Sequence, residues 1–510
     1  MLVTLILDAA RLHAWHLTLL DQLAAHPGVR PAVAFAAKSQ PLAAVIRLGL
    51  RLEAIANPNH AHPAFAPLTP AAFAAFAAPP DAATSVVIDL AASHFALPSA
   101  TMAAPKTLTP LYDGSPGEPA FWTALLAGHA PVLALHDSAA STITAVALPA
   151  IERPLALSRS AAQVVTRLIS ILGKSAANPA GALAPLEIPP PRSDLKTPSL
   201  LLAGKIAAYA GRSIRNATVA GPDWKVAWRH RPGPIGLPDP APLDLANFHI
   251  LDDGGDRFYA DPFLFAHDGR IDLFVEDFPS STARGVISVC QLNSGSSATS
   301  PRPVLEAPFH LSYPQVFARD GEIWMLPEAS GSGALTLYRA CPYPSAWQPA
   351  ATLIGEPLHD ATIFEHSGRL WIAASAEGPA SARWGSSWDS LNLYSAGTLL
   401  GPWSPHPGNP VLIDGRSARP AGGVFTLAGK LYRPVQDCSS YYGSVLGIAE
   451  ITCLNAETFT QRTVSAHAFP PRSRLLGPHT LSRIPVPGGH IEAIDVYGRL
   501  ADLRAAGGNL

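Results

Sequence analysis

The sequence predicts two unlike halves, an N-terminal α/β domain built on a parallel sheet and a C-terminal all-β propeller of five blades. Three observations predict this. A Phe, a Gly four residues on and an Ile or Leu two further recur as Phe265/Gly269/Ile271, Phe317/Gly321/Ile323, Phe364/Gly368/Leu370 and Phe425/Gly429/Leu431. Upstream of Leu90, short apolar runs alternate with Ala-rich helical stretches. A Pro-rich stretch, residues 179–198, separates the two patterns. The expected domains are residues 1–150, a helical and Pro-rich connector over 151–224, and the propeller over 225–505.

Residues 3–7 read as a buried strand, and 11–26 as an amphipathic helix with Trp15, Leu19 and Leu23 on one face. Further buried strands are expected at 32–36 and 85–90, the latter carrying Asp89 at its end. Buried strands alternating with helices argue for a parallel sheet, whose ligands bind beyond the strand C-termini. That rule would put Asp8 and Asp89 at a ligand mouth. No Gly-rich nucleotide fingerprint is present, so a dinucleotide or P-loop site is not expected. In the connector, helices are expected near 158–172 and 200–212; Lys205 interrupts the second, which reads as a packing helix. Residues 224–228 then open the propeller as the strand that closes its ring.

Each repeat reads as a strand ending on the Phe, a tight Gly turn and a strand pairing back. Third strands follow at 285–292, 334–340, 391–396 and 444–451. One small antiparallel sheet about every 50 residues is the pattern of a propeller. A worn fifth copy lies at 479–495, where Gly488-Gly489 precede Ile491.

Innermost strands line a propeller's channel, so equivalent repeat positions converge at its mouth. Four residues before each Phe stand Asp261, Tyr313, Asp360 and Ala421, and a bulge at Gly422-Gly423 would deliver Arg419 to the mouth in place of Ala421. Seven residues past each turn Gly stand Glu276, Glu328, Ser375 and Gln436. Buried carboxylates are costly unless paired, and converging ones suit cation binding, sugar hydroxyls or glycoside chemistry. A plain structural role competes: Asp261 before Pro262 suits a turn cap, and Glu276 beside Asp277 suits a solvated strand end. Loop 377–390 carries Trp384 and Trp388, which either offer a flat surface for a sugar ring or fold over the blade edge. In the matching fourth-blade loop, Asp437 precedes Tyr441 and Tyr442. His310 is a weaker site candidate.

A net charge of −2 with 15% charged residues leaves no basic stripe, so nucleic acid is not an expected partner. Cys290, Cys341, Cys438 and Cys453 show no metal-ligand spacing and fit reduced thiols in a cytoplasmic protein. No apolar run reaches the length of a membrane span, and the opening apolar run is too short for a signal sequence. The Ala and Pro richness fits a GC-rich bacterial genome.

Residues 260–265 (ADPFLF) with 274–278 (FVEDF) resemble the N-terminal domain of the plant glucosamine inositolphosphorylceramide transferases. So do 310–314 (HLSYP), 326–328 (LPE), 360–364 (DATIF) and 418–422 (ARPAG), a likeness that covers about residues 225–500. That domain is similar to the five-bladed propellers of glycoside hydrolase family 43. The resemblance implies Asp261 as base and Asp360 as the tuning carboxylate. The family's fourth-blade acid has no counterpart, because Arg419-Pro420 stands there. Glu377-Gly378-Pro379 has the look of the acid motif but lies at the end of blade three. Glu328 and Glu276 remain as acid candidates, and Arg419, with Tyr313, Gln436 and Asp437, as ligand-binding residues. The plant proteins' separate glycosyltransferase domain is not seen in this chain. Residues 5–8 (LILD), 15–17 (WHL) and 86–90 (VVIDL) resemble a formyltransferase-like domain, with 93–98 (SHFALP) an echo of its His motif.

The expected function is therefore a carbohydrate-active propeller of glycan or glycolipid metabolism that binds, and cleaves or transfers, a glycosyl unit at its channel. The alternatives are a non-catalytic sugar-binding module, or a sugar N-formyltransferase with a propeller substrate domain. A sugar or glycoconjugate, phosphorylated or not, is the expected partner. No resident cofactor is expected; Ca²⁺ in the channel stays open, and folate is disfavoured.

Overall fold

The computed structural model describes residues 1–36, 42–56, 62–77, 84–92, 106–177, 186, 200, 201, 203, 204, 223–238, 242–293 and 297–508. The chain forms two compact units. The first comprises Met1–Val219 with Glu377–Ser386 and Leu412–Asp414, and the second comprises the remainder.

The first unit is a mixed seven-stranded sheet. Its strands β1 (Leu2–Leu7), β2 (Arg30–Phe35), β3 (Val86–Asp89) and β4 (Lys106–Tyr112) run parallel in the order β2-β1-β3-β4. A short β5 (Ser115–Pro116), then β6 (Leu133–Asp137) and β7 (Thr142–Ala147), extend it antiparallel. β1 is buried at every position, as suits an interior strand flanked by parallel neighbours on both sides. Helix α1 (Ala14–Ala24) buries Trp15, Leu19, Leu20 and Leu23, the stripe its periodicity predicts. Helices α2 (Ala44–Ala56) and α3 (Glu118–Leu126) precede α4, Leu157–Ala177. Although α4 falls in the sequence segment expected as connector, Ala161, Val164, Leu168, Ile169 and Leu172 place it inside the first unit's core. Most of the Pro-rich stretch 179–198, most of the expected helix 200–212 and the motif 93–98 lie outside the described residues.

The second unit is a five-bladed propeller. Blades 1 to 4 open on the inner strands Arg257–His267, Ser312–Arg319, His359–His366 and Phe425–Leu427. Each pairs antiparallel with the strand that follows it. In these turns both residues have positive φ: Asp268-Gly269, Asp320-Gly321, Ser367-Gly368 and Ala428-Gly429. That is the two-residue turn whose twist matches the flanking strands, and it explains the recurrent Gly. Blade 5 joins Leu481–Val486 and Gly489–Gly498 to Asp223–Pro232, which pairs with the second strand along its whole length. The ring is thus closed by an N-terminal strand, as residues 224–228 foretold. Apolar clusters sit between neighbouring blades: Phe263, Phe274, Leu311 and Met325 join blades 1 and 2, and Val226, Trp228, Leu264 and Leu273 join blades 5 and 1.

Candidate functional site

The inner strands of blades 1, 2 and 3 each break register at the same place, between Ala260 and Phe263, Ser312 and Gln315, and His359 and Thr362. The bulged residues Asp261, Tyr313 and Asp360 have φ of 49°, 47° and 49°. Left-handed backbone is costly for such residues and persists only where surrounding contacts fix it. Here the contacts are the site itself, for the bulge aims each side chain into the channel.

Asp261 is buried, and three protein donors meet its carboxylate. Oδ1 accepts from Thr480 Oγ1 at 2.7 Å and lies 3.2 Å from His479 Nε2, while Oδ2 accepts from the Tyr313 backbone N–H at 3.2 Å. On the far side of the imidazole, His479 Nδ1 stands 2.8 Å from Asp495 Oδ2. Asp495 also receives the backbone N–H groups of Asp261, His479 and Thr480. Burial alone would lower His479, but the two carboxylates raise it to about 10, so it is an imidazolium at neutral pH. Burial likewise pushes Asp261 up, and the His479 and Thr480 bonds overcome that and hold it below the usual range.

Asp360 likewise meets three protein donors. Arg419 grips it bidentately, Nε to Oδ2 at 2.6 Å and Nη2 to Oδ1 at 3.1 Å, and Gln436 Nε2 adds 2.8 Å to Oδ2. Burial pushes the Asp360 carboxyl up to about 8 against the pull of Arg419, with Glu328 and Asp261 repelling it further. The guanidinium is raised well above its ordinary value by Asp360, which points the other way. Two short N–H donors on both oxygens assign the ion pair. Arg419 spends its remaining donors on Ser387 and the Tyr442 hydroxyl. Glu328 accepts from the Asp360 N–H at 3.0 Å, His359 Nδ1 at 3.1 Å and Ser330 Oγ at 3.1 Å. Burial raises Glu328, but His359 and Arg419 depress it far below the usual range.

Glu276 is different. Among the described residues its side-chain partner is His310 Nε2, at 3.3 Å, and burial with the nearby Asp261 charge raises its carboxyl. His310 is 42% exposed in its side chain and accepts the Gly285 N–H on Nδ1. Beside it, Phe258 and Phe278 stack at 4.7 Å, half-buried, with Phe278 5.9 Å from the His310 ring. A second aromatic group surrounds His479. Trp224 lies 4.0 Å from the imidazole, and Tyr442 lies 5.3 Å from it and 5.5 Å from Trp388.

The structure therefore brings together Asp261, Glu276, Tyr313, Glu328, Asp360, Arg419 and Gln436, with His310 at the edge. Tyr313 is fully buried and its hydroxyl links Thr362 Oγ1 at 2.9 Å to the Gly422 N–H at 2.5 Å, so it pins blades 2, 3 and 4. Gln436 is equally buried. Asp437 points its Oδ1 at the Ser439 N–H and hydroxyl and shapes its own loop. The two tryptophans of loop 377–390 part company. Trp388 joins Tyr442, whereas Trp384 packs on the first unit's core, 5.8 Å from His62. Glu377 belongs to that first unit too.

Sequence reasoning weighed His479 with His359 but set both aside as structural histidines, and it missed Thr480 and Asp495. The repeat spacing itself reaches the latter two: Thr480 stands four before Ile484, the fifth blade's counterpart of the Phe, and Asp495 seven past Gly488. Asp261, His479 and Asp495 present ligand atoms within 4.8 Å of one another and could hold a metal ion. A dication there would have to displace the His479 proton. Arg419, His479 and His359 already face the site's carboxylates and offset part of their charge.

In the first unit, Asp8 accepts from the Ala10 N–H and pairs with Arg11 at 2.7 Å, and Arg11 pairs with Glu118 at 2.6 Å. The cavity there is about 40 Å³ and includes His16, which burial lowers to about 3. Asp89 accepts the Ala91 N–H.

Residues 250–473 match the family model of the N-terminal domain of glucosamine inositolphosphorylceramide transferase 1. The protein of that name from Oryza sativa subsp. japonica is 36% identical over 213 residues, which are 41% of this chain and 28% of the rice protein. Its Arabidopsis thaliana counterpart is 34% identical over 208 residues, 40% of this chain and 27% of that one. The match thus spans less than a third of these relatives. Among solved structures, a GH43 β-xylosidase/α-arabinofuranosidase from a compost metagenome is 15% identical, covering 46% of this chain and 84% of its own, with a TM-score of 0.35. Likeness that slight carries no functional argument.

Proposed function

From a propeller that belongs to the N-terminal-domain family of the glucosamine inositolphosphorylceramide transferases, we propose a sugar-recognition module whose mouth grips the glycan of a glycoconjugate of the glycolipid class. One observation carries this reading. The in-register carboxylates Asp261 and Asp360 have their oxygens occupied by protein donors. Three protein donors sit on each carboxylate, and that bonding weakens either as the base that activates a water in glycoside hydrolysis. Glu276 and His310 remain as the polar edge, and Phe258, Phe278, Trp388 and Tyr442 supply faces on which a sugar ring stacks. Arg419 lacks a spare donor for a phosphate, so recognition rests on hydroxyls.

The test is calorimetric titration of the full chain with glycosyl inositol phosphates and simple glycosides, alongside aryl-glycoside turnover. Saturable binding without turnover, weakened at least about tenfold in Glu276→Ala or His310→Ala, is the expected result. Turnover abolished by Asp261→Asn would overturn it. A catalytic reading keeps one specific support, the raised Glu276 carboxyl, which a general acid requires. In that case Glu276→Gln would bind glycan normally and lose all turnover.

The setting we infer is a reducing one, the cytoplasm. All four cysteines are free thiols, and burial pushes Cys290 and Cys438 up to about 12.

A further inference from the structure

Helix α2 is amphipathic in an inverted sense. Its inner side carries Ile46, 2% exposed, with Leu50 half-buried beside the core, and Glu53, whose carboxylate accepts the Ser158 N–H and hydroxyl. Its outer side carries Leu48, Leu52 and Ile55, which are 50%, 38% and 77% exposed. These three are spaced i, i+4 and i+7, so they form one continuous stripe rather than scattered surface leucines. Single exposed apolar residues are ordinary, but a contiguous stripe marks a contact surface. Arg47 and Arg51 flank the stripe along one edge, both exposed. The helix's single carboxylate is Glu53, turned inward to Ser158. Arg47 donates to the Leu42 carbonyl, and among the described residues neither arginine pairs with a carboxylate, so the outer side offers apolar area plus positive charge.

We propose that the outer face of α2 docks on an anionic lipid surface, with Leu48, Leu52 and Ile55 entering the interface and Arg47 and Arg51 meeting lipid phosphates or carboxylates. Charge decides the occupant. A second copy would bring two more arginines and no carboxylate to this face, whereas an anionic bilayer complements both features at once. The inference does not depend on the propeller's function. It would bring the protein to the plane where glycolipids reside.

The full chain is sedimented with vesicles of phosphatidylcholine alone and of phosphatidylcholine with phosphatidylserine. Binding is expected on the serine-containing vesicles only, weakened by added salt. Arg47→Glu/Arg51→Glu should lower the partition coefficient at least tenfold, on the order of what two surface charges contribute. Leu48→Ser/Leu52→Ser/Ile55→Ser should lower it comparably without shifting the thermal transition, because these side chains are exposed. Three results overturn the proposal: no vesicle binding by the wild type, equal binding by both variants, or a self-associated wild type that the triple variant disperses with no change on vesicles.

Discussion

Arg419 sits 5% exposed with its guanidinium shared among Asp360, Ser387 and Tyr442, and it stacks over the Tyr442 ring at 5.1 Å. Arg433, itself buried, donates to the carbonyls of Ser417 and Ala418 and so fixes the segment that presents Arg419. Removing one member of such a pair leaves an uncompensated buried charge. Arg419→Met should destabilise the propeller by about 3–5 kcal/mol in denaturant unfolding, and adding Asp360→Asn should recover part of it. His479 gives a pH signature. Its folded value, about 10, lies above the ordinary 6.5, so its contribution is fully present below pH 6.5 and is lost as pH rises toward 10. His479→Gln should be less stable than wild type near neutrality, and the difference should shrink progressively on approach to pH 10. Unfolding free energies measured across that window check this.

At the scale of the strand pair, two kinds of glycine separate conformational from steric need. Gly321 has φ +78° with open space around a would-be Cβ, so Gly321→Ala should cost only about 1 kcal/mol. Gly422 has φ +130°, and a Cβ there would stand 2.1 Å from the Leu481 carbonyl oxygen, a clash with backbone that cannot rotate away. Gly422→Ala should therefore be several-fold more costly by chemical denaturation. It should also disturb Tyr313, whose hydroxyl receives the Gly422 N–H. The bulged inner strands work as one device with these turns: the turn fixes register, and the bulge spends it to aim Asp261 and Asp360 inward.

For the molecule as a whole, ring closure is the weak link in chain connectivity and the strong one in hydrogen bonding. Asp223–Pro232 pairs with Gly489–Gly498 at ten successive positions, joining segments far apart in sequence. Val226→Pro in the middle of that strand removes a ladder donor from a buried position. It should lower propeller stability by at least about 3 kcal/mol, seen as a lowered propeller transition in calorimetry.

Local chemistry made much of this protein legible. The Phe–Gly spacing encodes hairpins because only Gly readily takes the second left-handed turn position, and hairpins repeated at a fixed period encode blades. The same register placed Asp261, Glu276, Glu328 and Asp360 at one mouth, and applied to Thr480 and Asp495 it would have completed the ring. The buried strands and α1 of the first unit followed from periodicity in the same way. Tertiary structure alone decided what those residues face. Whether a buried carboxylate is a free base or one half of an ion pair depends on a partner tens or hundreds of residues away, such as Arg419 for Asp360 or His479 for Asp261. Likewise Trp384 and Trp388, four residues apart on one loop, met different partners, the first unit's core and the Tyr442 ring. Spacing fixes the direction in which a side chain leaves its strand. The packing of distant segments fixes what it meets there, and with it the charge and exposure on which chemistry depends.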